Sequence, residues 1–247
     1  MLLFADGETI YKNKCAACHE GYIPMGALKE NFVEFNNTKL KLKAPTLNQL
    51  SFRLKQKIGD PKGDEEIHML EVVEFVKSYI IKPDKQKSIC MDEVLEAFDI
   101  MPSMQGKITE EESEEVASYI YHFDKQALKA HAPVYVDIQK ALTEAKKEDK
   151  LIMIKAASEH CHFCKKMDRE VLSDKEIRAV LQKNFIAVEV DVYKEDLPLH
   201  LSYKVTPTYI FVTAEGKKLK SVVGALSKQD FLKILETVKQ IKKGDTK

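Results

Sequence analysis

Cys15-Ala16-Ala17-Cys18-His19 sets two thiols three positions apart with a histidine directly after the second. This is the attachment signature of a c-type haem. Each thiol adds across a haem vinyl group, so both must reach one porphyrin edge from a single helical turn. The histidine follows at once, which brings its imidazole under the iron as proximal ligand. A zinc site would want a second Cys/His pair at similar spacing, and none follows in the next forty residues. A second dithiol motif lies far downstream, Cys161-His162-Phe163-Cys164. The function depends on how the two motifs are related.

The chain has 247 residues, a length that suits two domains. Lys plus Arg number 39 and Asp plus Glu 39, so the net charge is zero and nothing favours a nucleic-acid partner. No apolar run approaches the length of a membrane span. Met1-Leu2-Leu3-Phe4-Ala5-Asp6 is too short for a signal peptide and reads as the tail of an apolar leader ending in a small residue. Covalent haem attachment happens outside the bacterial cytoplasm, so the expected compartment is the periplasm. The five cysteines divide into the haem pair, the downstream pair and Cys90, which reads as a small buried hydrophobe ahead of a redox role.

Residues 7–12 read as a short amphipathic helix entering the haem motif, with Ile10 and Tyr11 facing the core. A loop with Gly21, Pro24 and Gly26 follows. The carbonyl of Pro45 is positioned to accept from the second nitrogen of His19, fixing the tautomer; plain loop punctuation and Pro24 are the competing readings. Helices are expected over 48–57, over 65–80 with Leu70, Val73, Phe75, Val76 and Tyr79 as its apolar stripe, and over 91–98. Thr109 with Glu112 fits a capping box opening a last helix that ends near Phe123. His68 and His122 read as structural rather than iron-ligating.

The haem motif, the Met101-Pro102 loop and the final helix with Ala117-Ser118-Tyr119-Ile120 together resemble class I cytochrome c over residues 5–124. The resemblance implies an all-α fold, one covalent haem c, and His19 with a methionine as axial ligands. Position against the Met-Pro pattern assigns Met101, with Met104 as the rival. The expected domains are a monohaem cytochrome c domain over 1–124, a linker over 125–133 and an α/β domain over 134–247. The join reads either as a free linker or as an extension of the preceding helix.

The second half alternates helix and strand, the pattern of an α/β layer structure. Apolar strands are expected at Leu151–Ile154, 185–190, Tyr209–Val212 and 219–223, with helices over 136–148, 165–170, from about 173, and over 228–241. A Cys-x-x-Cys between strand and helix is the redox signature of a thioredoxin-like fold. Val205-Thr206-Pro207-Thr208 lies about 45 residues on, directly before a strand. Residues 134–243 therefore resemble the thioredoxin-like family, which implies a cis Pro207 lying against the dithiol. A helix N-terminus favours the thiolate at Cys161, so Cys161 attacks and Cys164 resolves; a structural disulfide is the alternative. The chain departs from the family at His160, at the His162-Phe163 pair, and at Lys155, where many members keep a buried acid. Cys164-Lys165-Lys166-Met167-Asp168 is more similar to the periplasmic branch.

The expectation is a periplasmic thiol–disulfide oxidoreductase fused to a one-electron carrier, with client thiols and a redox chain as partners. Thioredoxin-type dithiols span about −270 to −120 mV and His/Met haem sits higher, so electrons would run from dithiol to haem. The alternative is a haem module for docking or electron carriage beside an uncoupled or structural dithiol, acting as a sensor, a binding protein or a helper in cytochrome maturation.

Overall fold

A computed structural model describes residues 3–244. Part of the start read as a leader remnant, Met1 and Leu2, lies outside these residues. The chain divides into two units, Met1–Ala130 and His131–Lys247.

The first unit is helical: α1 (Leu3–Lys14), α2 (Met25–Val33), α3 (Leu47–Lys57), α4 (Glu65–Ile81), α5 (Asp92–Ala97) and α6 (Glu110–His131). Local chemistry starts these helices. Asp64 accepts the amides of Glu66 and Ile67 at the start of α4. Thr109 and Glu112 close a reciprocal capping box at α6, with N···O distances of 2.9 and 3.1 Å. Helix α1 packs on α6 at Gly7, where a Cβ would stand 2.6 Å from the Glu115 carbonyl oxygen and 2.7 Å from Tyr119 Cβ. Only glycine permits that approach. The core of this unit gathers Tyr11, Leu47, Leu54, Val72, Val73, Val76, Val116 and Ile120.

Three expectations for this half change, and one open reading resolves. Gly26 lies inside α2, not in a loop, with Pro24 directly before the first turn. A proline there fits, because its missing N–H would be unpaired at a helix start anyway. Leu70 is exposed, and Val72 takes its place in the apolar stripe of α4. Helix α6 does not stop near Phe123 but runs to His131. Of the two readings of the join over 125–133, the extension of the preceding helix is the one found, through His131: no Gly or Pro interrupts before Pro133, and Ala127 is buried.

The second unit contains α7 (Ile138–Glu148), β1 (Leu151–Ala157), α8 (His162–Met167), a π-helical turn (Asp168–Leu172), α9 (Lys175–Asn184), β2 (Phe185–Asp191), β3 (Thr208–Val212), β4 (Lys218–Val223) and α10 (Lys228–Gly244). The sheet order is β2-β1-β3-β4, with β1 and β2 parallel and the other pairs antiparallel. Every residue of β1 and β3 is buried, as expected of central strands covered on both faces. Leu151 and Met153 point to one layer with Met167, Phe231, Leu235 and Val238. Ile152, Ile154 and Ala156 point to the other, against Ala141 and Ala145 of α7. The alternation of a strand thus builds a helix–sheet–helix sandwich.

Candidate functional site

The Cys15-Ala16-Ala17-Cys18-His19 stretch follows α1 and is anchored to it. Tyr11 Oη donates to the His19 carbonyl at 2.6 Å, and the His19 amide donates to the Cys15 carbonyl at 2.9 Å. Cys15 and Cys18 are free thiols. His19 Nδ1 stands 2.8 Å from the Pro45 carbonyl oxygen. Pro24 is engaged elsewhere: its carbonyl accepts the Leu28 amide. A carbonyl oxygen only accepts, so Nδ1 is the donor and Nε2 keeps the free lone pair. Burial lowers the His19 pKa and so favours the neutral imidazole, while the Pro45 hydrogen bond acts in the opposite sense. Burial raises the Cys15 thiol, with Lys14 opposing.

Cys15, Cys18 and His19 line a cavity of about 470 Å³ whose walls include Leu50, Leu54, Val76, Ile80, Val116 and Ile120. Met101 and Met104 line the same cavity. Its size falls in the usual range for cofactor sites. The donor set fits a haem: two unpaired thiols on one turn, an oriented imidazole, thioethers and apolar walls. Among the described residues, no group of three or more His, Cys, Asp or Glu side chains is arranged to hold a metal ion by itself. His68 is buried and bonds through both nitrogens, Nε2 to the Ile58 carbonyl at 3.0 Å and Nδ1 to Tyr121 Oη at 3.1 Å. Cys90 is free and half-buried on the cavity wall, its thiol raised by burial against a Ser88 hydrogen bond.

In the second unit Cys161 is the N-cap of α8 and is joined to Cys164 by a disulfide, with Cα atoms 5.2 Å apart. Cys161 Sγ accepts the Cys164 amide at 3.0 Å. A sulfur in this position meets the unpaired amides and positive end of the helix, which stabilise a thiolate. Ala157, the last residue of β1, packs on both cysteines. Ala156 pairs with Thr208 across the antiparallel β1–β3 ladder, so the next step of that register sets Pro207 beside Ala157. The Thr206–Pro207 bond is cis. His160, His162 and Lys165 are exposed around the dithiol.

The thioredoxin-like domain model matches residues 138–239. This part of the chain is a thioredoxin-like domain. An uncharacterized protein of Aquifex aeolicus strain VF5 is 34% identical over 128 residues, covering 51% of this chain and 79% of that protein. Spermatogenesis-associated protein 20 of Rattus norvegicus is 37% identical over 89 residues, 35% of this chain and 11% of that protein. Among solved structures, a thioredoxin from Thermus thermophilus aligns with 25% identity and a TM-score of 0.39, covering 43% of this chain and 87% of that one.

Inside the thioredoxin-like domain, Lys155 is only 1% exposed. Its Nζ lies 2.5 Å from Asp168 Oδ1 and 2.5 Å from Glu189 Oε2. Of these three residues, sequence reasoning singles out Lys155 and misses the roles of Asp168 and of Glu189. Its signal was one acid in the otherwise apolar run Phe185-Ile186-Ala187-Val188-Glu189-Val190.

Proposed function

We propose that this chain is a periplasmic thiol–disulfide oxidoreductase carrying one covalent haem c, with Cys161 as the attacking thiol and Cys164 as the resolving one. The observation that carries the enzyme reading is Cys161 at the N-cap of α8, its sulfur facing the Cys164 amide in a thioredoxin-like domain. Cys161 opens a client disulfide, or receives one, through a mixed disulfide, and Cys164 resolves it. Pro207 flanks the pair and shapes the surface on which an extended client segment lies.

The haem reading rests on one cavity lined by Cys15, Cys18, His19 and Met101, and on the Pro45 carbonyl that orients the imidazole. Cys15 and Cys18 would hold the porphyrin through thioethers, with His19 and Met101 as axial ligands. Such a haem supplies one-electron exchange with a redox partner protein. An oxidising compartment suits both a disulfide-forming pair and covalent haem attachment.

Two measurements on the full chain test the proposal. Protein produced with haem-attachment machinery should be coloured and should gain the mass of one haem, lost in Cys15→Ala/Cys18→Ala. Insulin reduction should proceed with wild-type protein and stop in Cys161→Ser. Colourless wild-type protein overturns the haem half. Wild-type protein inert toward insulin and toward reduced clients favours the uncoupled-dithiol reading instead.

A further inference from the structure

A titratable group in the helical unit has no part in the chemistry above. Glu115 lies on α6 where α1 crosses it, and its carbonyl oxygen is the atom that Gly7 approaches most closely. Its carboxylate oxygen Oε2 is buried and has no hydrogen-bond partner among the described residues. A buried polar atom without a partner is costly, and a buried charge without one is costlier still.

The charges around Glu115 bring no relief. From α1 it meets Asp6, and from its own helix Glu111 and Glu114, acids in every case. The nearby lysines answer other acids. Lys12 stands 2.6 Å from Glu8, Lys14 stands 2.7 Å from Glu112, and Lys77 of α4 lies 3.6 Å from Glu110 and 3.7 Å from Glu114. Tyr119, at the same crossing, is pushed up to about 12 by burial, Glu8 and Tyr11, and so stays neutral.

The ends of α1 differ in what holds them. At the C-terminal end the Lys14 ammonium joins both Glu112 and the Lys107 carbonyl. At the other end the contact is Gly7 against α6, with like charges beside it. Tyr11 lies between these ends. Its ring is 5.8 Å from that of Tyr119, and its hydroxyl donates to the His19 carbonyl at 2.6 Å. A movement of α1 at Gly7 is therefore passed through Tyr11 to the turn that carries His19.

We propose that Glu115 is a proton-operated latch on α1. With the carboxyl neutral, α1 lies closed on α6 at Gly7. When the carboxyl ionises, the N-terminal half of α1 lifts and lets water reach the charge, while the Lys14–Glu112 pair holds the far end. Opening is driven by hydration of the carboxylate and by its separation from Asp6, the acid that α1 itself carries. The turn bearing Cys15, Cys18 and His19 is then held most firmly in mild acid and loosened toward alkaline pH. The latch depends on neither the dithiol chemistry nor the haem reading.

The titration runs in the sense this requires. Burial raises the Glu115 pKa, and Asp6, Glu111 and Glu114 raise it further. The folded chain thus holds this proton more tightly than the unfolded chain. Such a group costs nothing below its unfolded value, about 4.3, and removes stability as pH rises from there through the folded value.

The full chain, produced with haem-attachment machinery, is tested by amide hydrogen exchange. Exchange is read by mass spectrometry from about pH 4 to about pH 8 and corrected for intrinsic rates. In wild type, protection of the amides of residues 7–11 should fall as pH rises, by about tenfold for each pH unit that folding raises the carboxyl. Protection over 12–14 should change less. Glu115→Gln keeps the shape without the charge and should hold protection level. Glu115→Met, apolar and of similar length, should do the same, and Asp6→Asn should reduce the wild-type fall. Wild-type and Glu115→Gln profiles that run parallel over this range overturn the proposal. Protection lower in both neutral variants than in wild type at every pH makes the carboxylate a stabilising group and overturns it as well. Equal loss along the whole of α1 overturns the one-ended opening.

Discussion

Lys14 Nζ lies 2.7 Å from Glu112 Oε2, and that carboxylate oxygen also accepts the Thr109 amide that opens α6. One acid thus closes a helix cap and ties the end of α1, one residue before Cys15, to the last helix of the unit. The Lys14 ammonium further donates to the Lys107 carbonyl at 2.8 Å.

Glu112 has its pKa lowered, first by the Lys14 hydrogen bond and then by the Thr109 amide. A carboxylate depressed on folding stabilises fully above its unfolded value, about 4.3, and loses that contribution as pH falls through the lower folded value. Below about pH 4 the wild-type chain should therefore lose stability more steeply than Glu112→Gln. Chemical denaturation at a series of pH values reads this, and equal acid slopes would count against the contact.

Gly7→Ala sets two effects against each other. Alanine is the better helix former by about 1 kcal/mol. Its Cβ would press on the Glu115 carbonyl at 2.6 Å and on Tyr119 Cβ at 2.7 Å, and overpacking of this kind costs about 1–3 kcal/mol. The clash is with backbone and a buried ring stem, neither of which swings away, so the net effect should be a lower melting temperature. A stabilised Gly7→Ala would show that α1 and α6 are not this close.

Met101 and Met104 both line the cavity that holds Cys15, Cys18 and His19. The Met104 backbone is pinned, its amide on the Ile80 carbonyl and its carbonyl on the Lys107 amide, each at 2.9 Å. Haem-loaded Met101→Ala should lose the far-red band of methionine-bound ferric haem, and Met104→Ala should keep it. The opposite pattern would assign the ligand to Met104.

Cys164 is 2% exposed and Cys161 9% exposed. Cys161→Ser should abolish turnover. Cys164→Ser should still attack and should accumulate a disulfide-linked client, visible as a reducible adduct on a gel. Adducts forming through position 164 in Cys161→Ser would reverse the two roles.

Much of this architecture was legible in the order of residues. The strand at Leu151, the dithiol, the Thr206-Pro207 step and the closing helix appear where hydrophobic period and turn residues place them, because each is a local pattern. The capping box at Thr109 is local too. The end of α6 was only half legible: the sequence left a free linker and a helix extension open, and what decides is that Asp124 is buried, with its amide on Ser51 Oγ at 3.0 Å and its carboxylate 3.3 Å from Lys55 Nζ. Contacts seventy residues away in sequence carry the helix past it.

By itself the sequence determined the residue types and spacings that chemistry needs: Cys15, Cys18 and His19 on one turn, Cys161 and Cys164 at a helix start, and period-two strands between helices. Tertiary structure alone decided that Pro45 rather than Pro24 meets His19, and that Glu189 and Asp168 close on Lys155. The physical reason is range. Periodicity and capping act within a few residues, whereas the partner of a buried polar group is chosen by which distant segment the folded core brings within about 3 Å.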